Sequence, residues 1–133
     1  MSGWFKQGRA TGDTTRKIGA DAESIAVTYL EANGLVLLTR NYHCRQGEID
    51  LIMRDGNFLV FIEVRYRKNN LYGSASESVT RQKQRRLLTT ASYYLQNERC
   101  NADTRCRFDV ISISGQHNPK IDWIKDAFQA EAD

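Results

Sequence analysis

The sequence predicts an α/β protein in which helices pack against one mixed β-sheet, in the order α-β-β-β-α-β-β. Two segments repeat apolar residues at spacings of three and four, as amphipathic helices do. Five shorter segments are rich in apolar residues over lengths typical of strands, and an Asp-Gly pair between two of them signals a hairpin. The 133 residues suit one domain with a single modest core.

The first helix is predicted over residues 17–33, where one apolar stripe ends at Asn33-Gly34, a typical helix stop. The next element, residues 35–42, is a strand with imperfect alternation. Two further strands are predicted over residues 47–54 and 57–67, on either side of the Asp55-Gly56 turn.

The second half of the chain is predicted to begin with a loop over residues 69–78. A second helix follows over residues 79–97, with the stripe Leu87, Leu88, Ala91, Tyr94 and Leu95. The last two strands are predicted over residues 105–114 and 120–124, on either side of a turn.

The domain organisation follows from the same patterns. Residues 1–16 are polar and basic without sustained periodicity, and we expect them to form a flexible arm. Residues 17–128 form one domain, and residues 129–133 form a tail. No apolar run is long enough to span a membrane, and the N-terminus lacks the pattern of a signal peptide. Three cysteines, an odd number, argue against a disulfide framework, and we expect a reducing, cytoplasmic location.

The net charge of +3 is mild, but the basic residues are clustered. Clusters of this kind suit a polyanionic partner, and the alternative is a set of solvated helix and strand-edge charges. The clusters are Arg65, Arg67 and Lys68; Arg81, Lys83, Arg85 and Arg86; and Arg99, Arg105 and Arg107.

The most informative pattern lies between residues 47 and 67. If Asp55-Gly56 is a two-residue hairpin loop, Asp50 stands opposite Phe61 and Glu48 stands opposite Glu63. Asp50 and Glu63 are then diagonal neighbours, roughly 7–8 Å apart at the backbone, and two carboxylates at this separation can share a divalent cation. Because side chains alternate between faces, one face carries four charged residues: Glu48, Asp50, Glu63 and Arg65.

These acids are predicted to have apolar neighbours on both faces of the hairpin. Carboxylates in such surroundings must neutralise, pair with a base or coordinate a metal. For Glu48 we expect a plain ion pair with one of the nearby arginines, Arg45, Arg65 or Arg67. For Asp50 with Glu63 we favour a metal, because Arg65 alone does not offset two acids. The opposite face is predicted to be wholly apolar, with Ile49, Leu51, Met53, Phe58, Val60, Ile62 and Val64.

Three blocks of the sequence resemble the PD-(D/E)XK nuclease superfamily: Gly19-x-x-x-Glu23, Gly47-Glu48-Ile49-Asp50 and Phe61-Ile62-Glu63-Val64-Arg65. The strongest resemblance is to its YraN-like family of small bacterial proteins, and a more distant one is to archaeal Holliday-junction resolvases. The resemblance covers about residues 16–128. It implies a restriction-endonuclease-like three-layer sandwich, with a central mixed β-sheet flanked by helices.

The resemblance also implies roles for individual residues. Asp50 and Glu63 match the acids that hold Mg²⁺ or Mn²⁺, with the backbone carbonyl of Val64 as a further ligand. Glu23 matches a helix glutamate that joins the site, although an exposed glutamate would be unremarkable there. Arg65 stands where the superfamily has a catalytic lysine, and arginine cannot act as a general base, although it can still bind the scissile phosphate.

Lys83 is the candidate substitute for that lysine, because it lies one turn before Leu87 on the flank of the second helix's stripe. Its alternative reading is one solvated cation among several. The residues expected to contact nucleic acid are Arg67, Arg81, Gln84, Arg85 and Arg86.

Three functions are compatible with these features. The first is a metal-dependent endonuclease that hydrolyses DNA phosphodiesters, with branched DNA as a candidate substrate. The second is a nucleic-acid-binding module with a nuclease fold and weak or no turnover, because Arg65 replaces the lysine. The third is a non-catalytic interaction protein whose acids are paired with bases. The expected partner is nucleic acid, with DNA favoured, and no membrane; a homodimer is one alternative for the oligomeric state.

Overall fold

The elements follow one another in the predicted order. The computed structural model describes residues 11–67, 79–98, 100, 103–115 and 118–129, with side chains from Asp21 onward. The described chain forms α1 (Thr11–Ala32), β1 (Val36–Cys44), β2 (Gly47–Asp55), β3 (Phe58–Arg67), α2 (Arg81–Asn97), β4 (Arg105–Ser114) and β5 (Lys120–Phe128). No described helix is long and apolar enough to cross a membrane.

The five strands form one mixed sheet in the order β1-β2-β3-β4-β5. All neighbours are antiparallel except β3 and β4, which run parallel. Parallel neighbours need a crossover connection, and α2 lies within the one between these two strands. The mixed sheet is therefore a direct consequence of placing a helix between β3 and β4.

The core has two parts, one on each side of the sheet, which confirms the three-layer α/β sandwich. The α1 side is built from residues of the helix, of three strands and of the turn before β1: Ala22, Ala26, Val27, Leu30, Leu35, Leu51, Met53, Val60, Ile62, Ile111 and Ile113. The α2 side is built from Ile49, Ile52, Leu59, Phe61, Val79, Leu87, Ala91, Tyr94, Phe108 and Val110.

Two elements extend beyond their predicted bounds. Helix α1 begins at Thr11 rather than at residue 17, so residues 11–16 of the predicted arm are helical. This first turn is polar, and apolar periodicity could not reveal it. Strand β5 continues to Phe128, whose ring stacks on Phe108 at 5.0 Å between centroids. Asp126 has a φ of 54°, and this break in the strand geometry hides the continuation from pattern analysis. Residues 1–10 of the arm and the predicted loop 69–78 lie outside the described residues.

The register predicted for the β2–β3 hairpin is wrong by two residues. Asp55 pairs with Phe58 and Leu51 pairs with Ile62, so the two-residue loop is Gly56-Asn57. Gly56 has a φ of 60°, which fits a turn that requires glycine at its first loop position. A register shift of two residues does not by itself move a side chain to the other face of the sheet, because the side-chain period of a strand is two. Continuing this register by one step places Asp50 directly opposite Glu63.

Candidate active site

Asp50 and Glu63 meet where the paired part of the β2–β3 hairpin ends. The last recorded pair is Leu51 with Ile62. One step further, Oδ2 of Asp50 accepts a hydrogen bond of 2.8 Å from the backbone N–H of Val64. The side chain of Glu63 is only 6% exposed. The hairpin therefore brings together two carboxylates from adjacent strands, in direct opposition rather than on the predicted diagonal.

The alternation of β2 breaks at Asp50, so the prediction that Ile49 lies on the opposite, apolar face is wrong. Ile49 packs on the α2 side, whereas Leu51 packs on the α1 side. Asn41 of β1, which lies between the partners of these two residues, has a φ of 54°. The sheet is thus locally irregular around Asp50, which lies between a residue of the α2-side core and a residue of the α1-side core.

Two cations contact the same oxygen of Glu63. The ammonium of Lys83 lies 3.0 Å from Oε2, and the guanidinium of Arg65 donates to that oxygen at 3.1 Å. Thr80 fixes the start of α2, since its hydroxyl accepts from the Lys83 N–H at 3.2 Å. Lys83 stands one turn before the buried Leu87, on the side of α2 that faces the sheet. The structure thus brings the candidate substitute lysine to the acids.

Gly47 sets how closely α2 approaches the sheet. A Cβ atom at this position would lie 2.9 Å from the hydroxyl oxygen of Thr90, closer than real contacts allow. Thr90 is fully buried and donates its hydroxyl hydrogen to the carbonyl of Arg86 at 2.8 Å. The glycine that opens the Gly47–Asp50 block therefore seats the helix that carries Lys83.

Glu23 of α1 faces the site but does not complete a ligand cluster. Its side chain is 16% exposed and lies 3.7 Å from the Arg40 guanidinium. Burial raises the pKa of Glu23, against the lowering effect of contacts with Asn41 and Arg40. Among the residues whose side chains are described, no three acids, histidines or cysteines are grouped so as to hold a metal. A metal role for Glu23 stays a prediction, in keeping with its expected action through water.

Asp50 is the most perturbed acid of the site. Burial is the main cause, the charge of Glu63 adds to it, and together they raise the pKa of Asp50 from 3.8 to about 7, although the Val64 N–H and Lys83 oppose the shift. Opposed and partly buried carboxylates repel each other unless a proton or a cation lies between them. The site therefore favours the uptake of either a proton or a cation at neutral pH.

We expect Asp50→Asn to raise the melting temperature by roughly 5 °C at pH 8 in the presence of a chelator. The pKa of Asp50 is higher in the folded state, at about 7, than in the unfolded chain. The stability linked to this proton is full below the unfolded pKa, near 4, and is lost as the pH rises through about 7. The gain should therefore shrink towards pH 4, in thermal melts followed by circular dichroism. A variant less stable than the parent at pH 8 would show that ionised Asp50 stabilises the fold.

The residues predicted to bind nucleic acid are divided by the structure. Arg81, Arg85 and Arg86 are exposed on α2, and Arg67 is half-buried at the end of β3. Gln84 uses its amide N–H to donate to the Val79 carbonyl at 3.1 Å, so that donor serves the start of the helix.

Two expectations about charged pairs are wrong. Glu48 forms no ion pair with any residue of the described chain, so the expected plain ion pair is absent. Arg107, counted among the basic residues that suit a polyanion, is 12% exposed and bound to Asp109 at 3.0 Å and to Asp55 at 2.8 Å. It is a structural residue rather than a surface cation.

The sequence reasoning missed a cleft beside the acids. A cavity of 620 Å³ separates the β1–β2 turn from α2 and is lined by His43, Cys44, Arg45, Gln46, Gly47, Glu48, Lys83, Arg86 and Leu87. The only signal in the sequence was the basic pair His43 and Arg45 next to the Gly47–Asp50 block. Alone it could not predict a cleft, because the cleft forms only where the β1–β2 turn lies against α2.

The donor set suits a hard divalent cation. Protein contacts within the described chain engage Oδ2 of Asp50 and Oε2 of Glu63, which leaves the other oxygen of each carboxylate as a ligand. Magnesium prefers oxygen ligands and keeps several waters, so two carboxylates are enough when a backbone carbonyl and waters complete the shell. The pKa of Asp50 is raised mainly by burial and then by the charge of Glu63, and a bound cation would offset both effects.

Fold and site together define a three-layer α/β protein with an acidic site at the point where a hairpin opens beneath a helix lysine. The family model described as "Uncharacterised protein family UPF0102" matches residues 22–113, and the chain belongs to this family. The match includes all of the candidate residues Glu23, Asp50, Glu63, Arg65 and Lys83.

Relatives in several bacteria match almost along their whole length. A UPF0102 protein of Legionella pneumophila strain Corby is 49% identical over 116 residues, which is 87% of this chain and 98% of the relative. One from Nitrosococcus oceani is also 49% identical, over 90% of this chain and 97% of the relative. One from Pseudomonas aeruginosa strain LESB58 is 42% identical, over 89% and 97%.

Proposed function

We propose that this protein is a metal-dependent endonuclease that hydrolyses DNA phosphodiesters with Mg²⁺ or Mn²⁺. The observation that carries the proposal is the opposition of Asp50 and Glu63 on adjacent strands, with the Lys83 ammonium 3.0 Å from Glu63. Structural ion pairing alone does not account for Asp50. Its carboxylate has a backbone N–H as its partner rather than a base, and its pKa is raised rather than lowered. A buried acid of this kind marks a candidate functional site.

The roles of the residues follow from their positions. Asp50 and Glu63 would hold the cation through their carboxylate oxygens, and the Val64 N–H fixes the orientation of Asp50. Glu23 lies close enough to raise the pKa of Asp50 further and can order a water molecule at the rim of the site. When bound, the cation supplies Lewis acidity towards a phosphate oxygen.

Lys83 and Arg65 together can replace the catalytic lysine that the nuclease superfamily has at the position of Arg65. Both touch Oε2 of Glu63, so both can neutralise charge that develops on the scissile phosphate. Only the lysine can also exchange a proton with the attacking water or the leaving oxygen, because a guanidinium does not deprotonate. Lys83 is therefore the candidate for proton transfer, and Arg65 is the candidate for binding the phosphate.

A second candidate function is a nucleic-acid-binding module with little turnover. One observation favours it: both cations already contact Glu63, so part of its charge is neutralised without a metal. In this case the exposed arginines of α2 would still bind phosphates, but the acids would not recruit a cation.

The test is a cleavage screen of single-stranded, duplex and branched DNA, with matched RNA substrates, in Mg²⁺, Mn²⁺ or chelator. We expect weak cleavage of DNA that prefers Mn²⁺ and is absent in chelator. In a parallel calorimetric titration, Asp50→Asn combined with Glu63→Gln should weaken Mn²⁺ binding by about tenfold or more, because both charged ligands are lost.

The results separate the two functions. Nucleic-acid binding without metal-dependent cleavage would favour the binding module. Mn²⁺ affinity that is unchanged in the double variant would contradict the proposed metal site. Absence of both metal and nucleic-acid binding would leave an interaction protein.

A further inference from the structure

The cleft beside the acids is built like a phosphate-binding groove. One wall is the β1–β2 turn, where Arg45 and Gln46 connect Cys44 to Gly47. The other wall is the first half of α2, with Lys83 and Arg86. Lys83 belongs to both the cleft and the acid site, since its ammonium also contacts Glu63. A strand that lies over the acids is therefore led directly into the cleft.

Two of the cations that line the cleft are not balanced by an acid of the described chain. Arg45 and Arg86 are exposed, and neither forms an ion pair within the described chain. Glu48, the one acid in the lining, lies more than 4.0 Å from both guanidinium groups, since no salt bridge to it is formed. Two uncompensated arginines facing each other across a groove favour an anion with more than one charge, such as a run of phosphates.

The groove extends along α2. A shallower hollow of 200 Å³ adjoins it and is lined by Gln46, Gln82, Arg85, Arg86 and Thr89. Gln46 and Arg86 line both cavities, so the two form one path from Lys83 past Arg86 to Arg85. Three successive cations along one path match a phosphodiester backbone better than they match a single small anion.

The size of the cleft favours one strand. Duplex DNA has a major groove that alone is ~12 Å wide, whereas the cleft has a volume of 620 Å³. Its volume is that of a pocket for a drug-sized molecule, comparable with one or two nucleotides. An unpaired strand is thinner than a double helix and is therefore the better match to the cleft.

We propose that this cleft binds the unpaired strand next to the scissile phosphate, with Arg45 and Arg86 on its phosphates and His43 and Gln46 against its bases or sugars. The inference rests on the proposed function, in that the acid site is where this strand is cut. It assigns a role to the β1–β2 turn, which explains why a hairpin tip carries basic and amide side chains over the N-terminal half of α2.

The experiment measures fluorescence anisotropy of labelled oligothymidine in chelator, so that no cleavage takes place. The parent should bind this single strand more tightly than a duplex of equal length. Arg45→Ala and Arg86→Ala should each weaken binding about tenfold and reduce the salt slope by about 0.7, the value for one lost contact to single-stranded DNA. The matched control is Arg54→Ala, because Arg54 is exposed on the same strand as Gly47 but lies at its other end. Its affinity should equal the parent's.

Two outcomes overturn the inference. One is a parent-like affinity of Arg45→Ala, and the other is an equal loss in Arg54→Ala, which would indicate a diffuse charge effect. A third variant, Asp50→Asn, separates this test from that of the proposed function. It should bind the single strand in chelator at least as tightly as the parent, because a negative charge beside the phosphates is removed, even though its cleavage is lost. A negative cleavage screen with intact Arg45 dependence would therefore reject the nuclease and retain the cleft.

Discussion

Lys83→Ala should lower metal-dependent cleavage by about a hundredfold or more, the scale seen when a group that stabilises transition-state charge is removed. The ammonium of Lys83 lies 3.0 Å from Oε2 of Glu63, so it stands beside the acids that would hold the cation. Lys83 is partly exposed on α2, and Arg65 still contacts Glu63 in the variant, so the fold should be retained with only a modest fall in melting temperature. Single-turnover cleavage in Mn²⁺ is the measurement.

A double variant tests whether a lysine beside Glu63 is sufficient, or whether it must stand at position 83. Arg65 contacts the same oxygen of Glu63 from β3, at 3.1 Å. In the Lys83→Ala background, Arg65→Lys should restore at least tenfold of the lost activity, because a lysine again stands beside Glu63. In the parent, Arg65→Ala should also lower cleavage, since a phosphate contact is lost. The matched control is Lys120→Ala, which removes an exposed lysine at the start of β5.

Unchanged cleavage in Lys83→Ala would remove Lys83 from the mechanism. If Lys83→Ala is inactive and Arg65→Lys does not rescue it, the lysine must act from the helix position itself. Lys83→Arg then tells whether charge alone is sufficient, because arginine keeps the charge but cannot donate a proton in this pH range.

Asp109→Ala should lower the free energy of unfolding by about 3–5 kcal/mol, the cost of leaving a buried charge without its partner. The carboxylate of Asp109 is fully buried and accepts from the Arg107 guanidinium at 3.0 Å and from the Trp123 indole at 2.9 Å. The backbone N–H of Asp126 donates to Oδ1 of Asp109 at 2.9 Å, the oxygen that also accepts from Nε of Arg107. One carboxylate thus ties β4 to β5, and through Arg107 also to Asp55 at the hairpin end.

Urea denaturation followed by circular dichroism would measure this loss. Asp109→Asn keeps the shape of the side chain and loses its charge, so it should be less damaging than Asp109→Ala. Asp122→Ala removes an exposed acid from β5 and should stay within about 0.5 kcal/mol of the parent. A loss below about 1 kcal/mol in Asp109→Ala would mean that water replaces the carboxylate as partner of Arg107.

The order of the elements and the pairing partners of the acids depend on different information. The spacing of apolar residues distinguishes helices from strands, and it was sufficient to predict their order along the chain. The alternation of side chains was sufficient to predict that Glu63 and Arg65 share a face. The exact register of the hairpin depends on which two residues form the loop, and Asp55-Gly56-Asn57 offers two choices. A type I′ loop at Asp55-Gly56 would need a positive φ at both residues, but only Gly56 has one, so the loop is Gly56-Asn57.

Other features depend on distant parts of the chain and left no local signal. The contact between Lys83 and Glu63 requires the distance of α2 from the sheet, which Gly47 and Thr90 set. The network around Asp109 draws on three strands, so a buried Arg107 had the same appearance in sequence as a surface cation. The cleft likewise exists only between two elements that are separated by more than thirty residues of chain.

The parallel pairing of β3 with β4 has a consequence for the order in which the site assembles. Asp50 and Glu63 belong to one hairpin, which needs only a two-residue loop and can form within microseconds. Lys83 arrives only when the crossover through α2 docks, a slower event because it closes a long stretch of chain. A nascent chain that has formed the hairpin alone thus holds the two opposed acids with Arg65 but without Lys83. The docking of α2 brings Lys83 to Glu63 and reduces the repulsion between the acids, so this contact stabilises the completed fold.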